Sequence, residues 1–413
     1  MTKKDFFLTV FTVFVQYYDY HLFGFLAASI AVHFFPADQI ITQLLKTYFI
    51  MGVAMLAKPI GAIILGKIGD KQGRSTSFKI SLIGTAAASF ILFVTPSYHS
   101  IGMLAAFILL LCRMIICSCV SSGSDGVRLY IFEHISVNRR GIGIGLTTFF
   151  TQAGSLAAAL SAWFFTQTFL PHYSWKLAFL IGGVLGVVLL IIMQINTFSD
   201  TKPIQDTKDF KKFNNISLID IITNNWQLFV MCILLAGSIG STTQFLIMFF
   251  GTYNFKILAI IERSLMYKYI SLAIIGYMIF AVVGGYLADK FGRFRVISVG
   301  VILVLVLSMV SCYQISCNNF NFLTFFTIVS GTALITIPAA SIYKQSIPVA
   351  IRYRVFSLSH AIGSIVVSAP TAFLSTLIYH KTNINWLPIG YFIITIIMIF
   401  WTVYYLRQKQ IAD

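Results

Sequence analysis

The chain has 413 residues, of which 58% are hydrophobic and only 10% are charged. Soluble domains carry about 25% charged residues, so this composition excludes an ordinary water-soluble protein and predicts repeated membrane crossings. The net charge of +16 comes from Lys and Arg in short connectors between apolar runs. A nucleic-acid-binding protein would instead show one basic face with interleaved aromatic residues, so no nucleic-acid partner is expected.

Apolar runs long enough to cross a bilayer, about 20 residues each, recur along the whole chain. We predict twelve spans at residues 6–34, 45–66, 77–96, 100–127, 142–169, 175–196, 226–251, 268–288, 295–315, 321–343, 355–379 and 386–406. The predicted fold is an all-α polytopic membrane protein with twelve transmembrane helices in two pseudo-symmetric six-helix bundles. The bundles occupy residues 1–196 and 226–413, and a polar cytoplasmic linker at 197–225 joins them.

The distribution of basic residues predicts the orientation. With a cytoplasmic N-terminus, about 20 of the 29 Lys and Arg fall on cytoplasmic segments and about 6 on outer ones, as the positive-inside rule requires. The first apolar run is too long for a cleavable signal peptide and is interpreted as the first span. We therefore expect both termini in the cytoplasm. The chain is expected to lie in the lipid bilayer of the cell (inner) membrane and to be a monomer.

Two nearly identical segments follow the second span of each predicted half, GKIGDKQGR at 66–74 and GYLADKFGR at 285–293. A shift of 219 residues superposes Gly66 on Gly285, Asp70 on Asp289, Gly73 on Gly292 and Arg74 on Arg293. Duplicated bundles are typical of transporters. Glycine permits a tight turn, Asp can accept bonds from helix amides, and Arg can grip a carboxylate with two hydrogen bonds. We predict a clip that braces one half against the other; the alternative is a charged topological anchor.

This pattern, G-x-x-x-D-x-x-G-R, resembles the signature loop of the major facilitator superfamily. Further stretches are similar to its metabolite:proton symporter branch, which includes proline/betaine and dicarboxylate carriers. These stretches are YYDYHLFGF (17–25), AKPIGAIILGKIGD (57–70), LLLCRMI (109–115), FEHISVNRRG (132–141) and IRYRVFSLSHAIG (351–363). The resemblance adds Glu133 and Arg140 to the predicted clip.

The resemblance implies a secondary transporter that imports a small carboxylate-bearing solute, a proline/betaine-type osmolyte, together with protons by alternating access. The alternative is a dicarboxylate proton symporter of the α-ketoglutarate type. Two acids of the branch are missing, because their positions fall on Gln16 and Gly123. A sensor or scaffold that no longer transports therefore stays open as a third possibility.

Charges inside a membrane are costly and mark candidate functional sites. Asp19, Lys58 and Arg113 each fall about 13 residues into a predicted span, near the bilayer midplane. We predict that Arg113 holds a substrate carboxylate, that Lys58 is a second cation, and that Asp19 takes part in proton coupling. Asp19 is expected to pair with one of the cations, either permanently or in alternation with the substrate.

Asp125 is a further candidate, on a small polar stripe of the fourth span. Asp125 and Arg128 are expected to pair with each other or with the loop residues Glu133 and Arg140. The sequence contains no HExxH, GxSxG or Walker motif, so we predict neither an enzyme nor an ATP-driven pump. No catalytic residue, cofactor or metal site is expected.

Overall fold

The computed structural model describes residues 3–35, 40–167, 169–171, 173–195 and 222–412, and these are nearly all helical. The predicted linker lies mostly outside the described residues, at 197–221. The helices are α1 (Lys3–Phe25), α2 (Ala27–Phe34), α3 (Ile40–Met55), α4 (Lys58–Gln72), α5 (Arg74–Val94), α6 (Tyr98–Ile101), α7 (Met103–His134), α8 (Arg140–Phe165), α9 (Leu177–Ile195), α10 (Trp226–Thr243), α11 (Arg263–Phe291), α12 (Arg293–Ser316), α13 (Phe322–Gln345), α14 (Arg352–Gly363), α15 (Thr371–Thr382) and α16 (Leu387–Ala412).

Eleven segments of the described chain are long and apolar enough to cross a membrane. The first predicted span is not among them, because polar residues such as Gln16, Asp19 and His21 lower its hydropathy. Its backbone is nevertheless helical almost throughout. The hydrogen bonds continue across the junction at Leu26, which donates to Leu22 and accepts from Ile30, both at 2.9 Å. Helices α1 and α2 thus form one nearly continuous helix that matches the predicted span 6–34.

The second span is interrupted between α3 and α4. Pro59 occupies the first turn of α4, and it has no N–H to donate to the turn before it. Ala57 just before the break has its carbonyl bonded by the Ser118 hydroxyl at 2.7 Å. A Cβ on Gly61 would lie 2.4 Å from the Ser118 carbonyl oxygen, so α4 and α7 cross closely here. Lys58 therefore begins a new helix beside α7.

The repeated segments are not the loops that the sequence suggested. Residues 66–72 form the last turns of α4, and α11 likewise continues to Phe291. The chain turns at one residue in each copy, Gly73 with φ of 105° and Gly292 with φ of 93°. Only glycine adopts such dihedral angles without strain. The connectors are shorter than predicted because Asp and Lys tolerate the end of a helix at the membrane surface.

Contacts group the helices into two compact units. One contains Met1–His134 with Phe150–Ile216, and the other contains Ile135–Phe149 with Ser217–Asp413. Within the first unit, α5 packs against both α7 and α9, and α1 also contacts α7 and α9. Within the second, α13 packs against α11 and α12, and α10 packs against α14 and α16. Residues 135–149, which precede the predicted linker, are grouped with the second unit.

Candidate functional site

Three side chains with basic nitrogens converge on the ring of Tyr20 in α1. The Arg113 guanidinium, from α7, lies 4.6 Å from the ring centre. The Lys58 ammonium lies 5.6 Å from it, and the His21 ring packs edge-on against it with 5.1 Å between centroids. The face of an aromatic ring attracts cations, so Tyr20 partly offsets the repulsion between Lys58 and Arg113. We call Tyr20, His21, Lys58 and Arg113 the Tyr20 cluster.

Arg113 is 1% exposed, between the rings of Tyr20 and Phe23. Its Nη1 donates to the Tyr20 carbonyl oxygen at 2.8 Å. Its Nε is buried and has no hydrogen-bond partner among the described residues. Aromatic contacts and one backbone carbonyl orient the guanidinium without neutralising it. Arg113 therefore retains both its charge and a free donor.

Asp19 faces a different part of the first unit. Its Oδ1 accepts a hydrogen bond from the Ser89 hydroxyl of α5 at 2.9 Å, and a Cβ on Gly182 of α9 would lie 1.9 Å from this oxygen. Its Oδ2 is buried and has no partner within the described chain. Consecutive side chains of a helix point about 100° apart, so Asp19 points to α5 and α9 while Tyr20 points to the cations.

The expected pairing of Asp19 with Lys58 or Arg113 is therefore absent from this structure. In the part of the chain that the structure describes, neither cation forms an ion pair with a carboxylate. The sequence placed the three charges at similar depth, but it could not show which face of each helix they occupy. The Tyr20 cluster consequently carries two formal positive charges that no described side chain balances.

Asp125 lies about three helical turns beyond Arg113 on α7. Arg128 donates to its Oδ1 at 3.2 Å and, through Nη2, to the Tyr17 hydroxyl at 2.9 Å. The structure contains the first of the predicted alternatives, the pairing of Asp125 with Arg128. The pair links α7 to α1 one turn of α1 away from Tyr20.

The first copy of the repeated segment forms a compact ionic cluster. Arg74 bonds Asp70 within its own motif, and its Nε and Nη2 approach the two carboxylate oxygens of Glu133 at 3.3 and 3.4 Å. Nη1 also donates to the Gly69 carbonyl oxygen at 3.0 Å. The predicted Arg fork therefore holds Glu133 at the end of α7. Gly66, in the preceding turn of α4, and Gly73 are both buried.

The second copy uses its acid differently. The two carboxylate oxygens of Asp289 accept from the backbone amides of Gly141 and Ile142 at 2.9 and 3.0 Å. These amides belong to the first turn of α8, where an acid is favoured by the helix dipole. Arg293 instead donates to Gln345. The two copies match in sequence and turn geometry but differ in their partners.

Glycines allow α8 and α11 to approach closely at this point. A Cβ on Gly141 would lie 2.4 Å from the Gly285 carbonyl oxygen, and one on Gly285 would lie 2.3 Å from that of Gly141. One turn later, a Cβ on Gly145 would lie 2.4 Å from the Ala281 carbonyl oxygen. Small residues four apart are the usual means of close helix contact in membranes. Arg140 is the first residue of α8 and is half-buried.

A sequence model of the Major Facilitator Superfamily matches residues 9–271, well over half of the chain. The chain belongs to this family. Members of the Major Facilitator Superfamily are membrane transporters, so the protein is a transporter and not an enzyme. The predicted resemblance and the predicted helical membrane fold are both confirmed.

Among curated relatives, the citrate-proton symporter of Klebsiella pneumoniae is 25% identical over 385 residues, which cover 90% of this chain and 84% of the relative. The proline/betaine transporter of Escherichia coli (strain K12) is 23% identical over 386 residues, covering 90% and 76%. Relatives with these two different substrates match at nearly equal identity.

Solved structures show the same fold. The proton:xylose symporter XylE superposes with a TM-score of 0.75 at 14% identity, covering 98% of this chain and 94% of that one. The transporter FucP, in an outward conformation, has a TM-score of 0.75 at 11% identity, covering 97% and 98%. At identities this low, the similarity concerns the fold alone.

Sequence reasoning missed His21, Tyr20, Ser89 and Gly182. Tyr20 and His21 directly follow Asp19 in YYDYHLFGF. Their place next to a charged residue within a predicted span was the signal that could have identified them. Ser89 and Gly182 gave none, because small residues in apolar helices are common.

Proposed function

We propose that the protein is a proton symporter for an organic anion with two or more carboxylate groups. The observation that carries this proposal is the Tyr20 cluster, in which Lys58 and Arg113 share one aromatic ring and no described carboxylate balances them. An uncompensated buried charge costs several kcal/mol, so an anionic solute fits this site better than a neutral one. The relatives support the same class, since citrate-proton symporters are among them.

Geometry suits two carboxylates rather than one. The planar guanidinium of Arg113 can bind one carboxylate with its fork, while the Lys58 ammonium serves as a compact point charge for a second. The quaternary ammonium group of betaine can lie against aromatic rings, but the ammonium group of proline would need a protein acid near it. Asp19 is the nearest candidate along α1, but it faces Ser89 and Gly182 instead.

A proline/betaine-type osmolyte, the solute that the resemblance implied, is the second candidate. It is favoured by the relatives that transport proline and betaine. Three aromatic rings around the cluster, those of Tyr17, Tyr20 and Phe23, are also the type of surface that holds a quaternary ammonium group. Arg113 already lies against two of these rings, which places this candidate behind the polycarboxylate.

Asp19 is our proposed proton carrier. A buried carboxylate without a cation is costly. Among the described residues, the Asp19 carboxyl group accepts from the Ser89 hydroxyl, and its Oδ2 has no partner. We infer that Asp19 holds a proton in this state and releases it in another state of the cycle. Asp125 is less suited to this role, because Arg128 pairs with it.

The repeated segments are proposed to stabilise one state of the alternating-access cycle. The Asp70–Arg74–Glu133 cluster and the Asp289 contact with α8 are both built from hydrogen bonds that can break and re-form. We further propose that residues 1–196 and 226–413 act as the two moving halves, that both termini are cytoplasmic and that the protein is a monomer.

Uptake by the purified protein in liposomes tests this function. Labelled citrate, α-ketoglutarate, proline and betaine are supplied outside with an imposed inward proton gradient, and Arg113→Ala is compared with Lys176→Ala. Lys176 also lies over an aromatic ring, that of Trp175 at 5.9 Å, but it bonds a backbone carbonyl away from the cluster.

We expect gradient-driven uptake of a polycarboxylate that Arg113→Ala abolishes and Lys176→Ala retains. Uptake of proline or betaine alone would favour the second candidate. Uptake that is indifferent to the gradient would remove proton coupling, and a folded protein that moves none of the four solutes would contradict the proposal.

A further inference from the structure

The contacts of His21 Nδ1 favour a hydrogen on that ring nitrogen. Nδ1 lies 3.0 Å from the Tyr17 carbonyl oxygen and 2.8 Å from the Ser155 hydroxyl oxygen. A carbonyl oxygen can only accept, so we assign the hydrogen to Nδ1, with the Ser155 hydroxyl oxygen as a second acceptor from the same N–H. In a neutral imidazole the other nitrogen is then an acceptor. His21 therefore presents the lone pair of Nε2.

That lone pair has no donor within the described chain. Both side-chain hydrogen bonds that His21 makes with described residues use Nδ1. His21 is only partly buried, and its Nε2 is not among the fully buried atoms that lack a partner. Nε2 is thus both unpaired and accessible to a ligand. It belongs to a ring that packs on Tyr20, beside two cations.

We propose that His21 Nε2 accepts a hydrogen bond from a hydroxyl group of the solute and makes the site selective for hydroxylated polycarboxylates. This inference rests on the proposed function. Lys58 and Arg113 offer positive charge and donors, which suit carboxylates. A carboxylate has no hydrogen to give Nε2, whereas a hydroxyl group beside it does. The cluster therefore matches a solute that carries both kinds of group.

A solute without the hydroxyl would displace water from Nε2 and donate no hydrogen bond in its place. Leaving a buried polar atom unpaired costs more than an average hydrogen bond contributes, and sites built to bind a hydroxyl discriminate strongly against analogues that lack it. We expect a preference of about tenfold or more for the hydroxylated member of a matched pair.

Two pairs of ligands isolate the hydroxyl group: citrate with tricarballylate, and malate with succinate. Their dissociation constants are measured on the full-length protein in lipid nanodiscs, for the wild type and for His21→Leu, His21→Gln and Ser155→Ala. In His21→Leu the affinity ratio within each pair should fall towards 1. His21→Gln should keep part of the preference, because its amide oxygen can accept.

Ser155→Ala is the matched control, because it removes one Nδ1 contact but leaves the Tyr17 carbonyl that fixes the hydrogen there. It should keep the wild-type ratio. Equal affinities within both pairs in the wild type, or a preference that survives in His21→Leu, would overturn the inference while leaving the proposed function intact. If the folded wild type binds none of the four anions, the proposed function fails and this inference with it. The wild-type and His21→Gln ratios decide the matter should His21→Leu not fold.

Discussion

The carboxyl group of Asp19 is enclosed so tightly that a neighbouring glycine has no room for a side chain. A Cβ on Gly182 would lie 1.9 Å from Oδ1, and Asp19 itself is fully buried. We expect Gly182→Ala to lower the free energy of unfolding by about 1–3 kcal/mol, the usual cost of overpacking a core. Thermal unfolding in detergent measures this change. Gly52→Ala is the control, because nothing lies within 4 Å of its Cβ, and an equal loss there would contradict the explanation.

Asp19→Asn separates proton coupling from substrate binding. The amide is similar in size to the carboxyl group, and its oxygen can still accept from Ser89, so the fold should be retained. Since Asn cannot release a proton, we expect loss of gradient-driven accumulation but preserved exchange of labelled for unlabelled solute across the membrane. Ser89→Ala, which keeps the acid, should accumulate solute. Full accumulation by Asp19→Asn would remove Asp19 from the proton pathway.

Two departures from the family pattern occupy one place in the structure. Gln16 donates to the Ser81 hydroxyl at 2.7 Å, and a Cβ on Gly123 would lie 1.9 Å from that oxygen and 2.6 Å from the Gln16 amide nitrogen. Gln16 and Gly123, which stand where the family has acids, therefore lie together in one uncharged contact with Ser81. The sequence showed both changes but could not show this proximity, because three separate helices create it.

At the scale of helices, the Asp289 carboxylate caps the N-terminus of α8, a helix far from it in sequence. We expect Asp289→Asn to remove about 1 kcal/mol from the state seen here, because it deletes a charge next to the positive end of a helix dipole. The dissociation constant of the solute should stay within about twofold, while the transport rate changes, since Asp289 is not a member of the Tyr20 cluster. Equilibrium binding and initial rates of uptake on the same preparation measure both quantities.

Asp70→Asn provides the matched change in the other copy, where the acid bonds Arg74. It should also alter the rate and spare the affinity. If either variant weakens binding and turnover by the same factor, the repeated segments act on the solute site and the clip interpretation is wrong.

Helix positions were predictable from the sequence because hydropathy alone defines a membrane span. Most predicted limits lie within a few residues of the observed ones, for example 295–315 against Arg293–Ser316. The ends near charged residues were predicted too short, as in α4, which continues through Asp70 to Gln72. A hydropathy pattern registers where the apolar core stops, whereas the backbone hydrogen bonds of a helix continue into the polar surface layer.

For the whole molecule, the duplication at a spacing of 219 residues predicted two related turns, and Gly73 and Gly292 have nearly the same dihedral angles. The candidate site is less symmetric than the backbone. Lys58, Arg113 and Asp19 all belong to the first unit, and the sequence predicted that they lie at similar depth. Their division between two faces of α1 was not, because it depends on the rotation of each helix about its axis.

Residues 135–149 predict how the two sequence halves associate. They precede the linker but are grouped with the second unit, where Gly141 packs on Gly285 and Asp289 caps α8. We therefore expect residues 1–205 and 206–413, made as separate polypeptides in one cell, to purify together in a mild detergent when only one carries an affinity tag. Gly141→Leu should reduce the recovery of the untagged half severalfold, because no side chain fits at this crossing. Gly52→Leu, in the same half and with open space at its Cβ, should leave recovery unchanged, and a similar loss from both variants would mean that general misfolding rather than this contact is responsible.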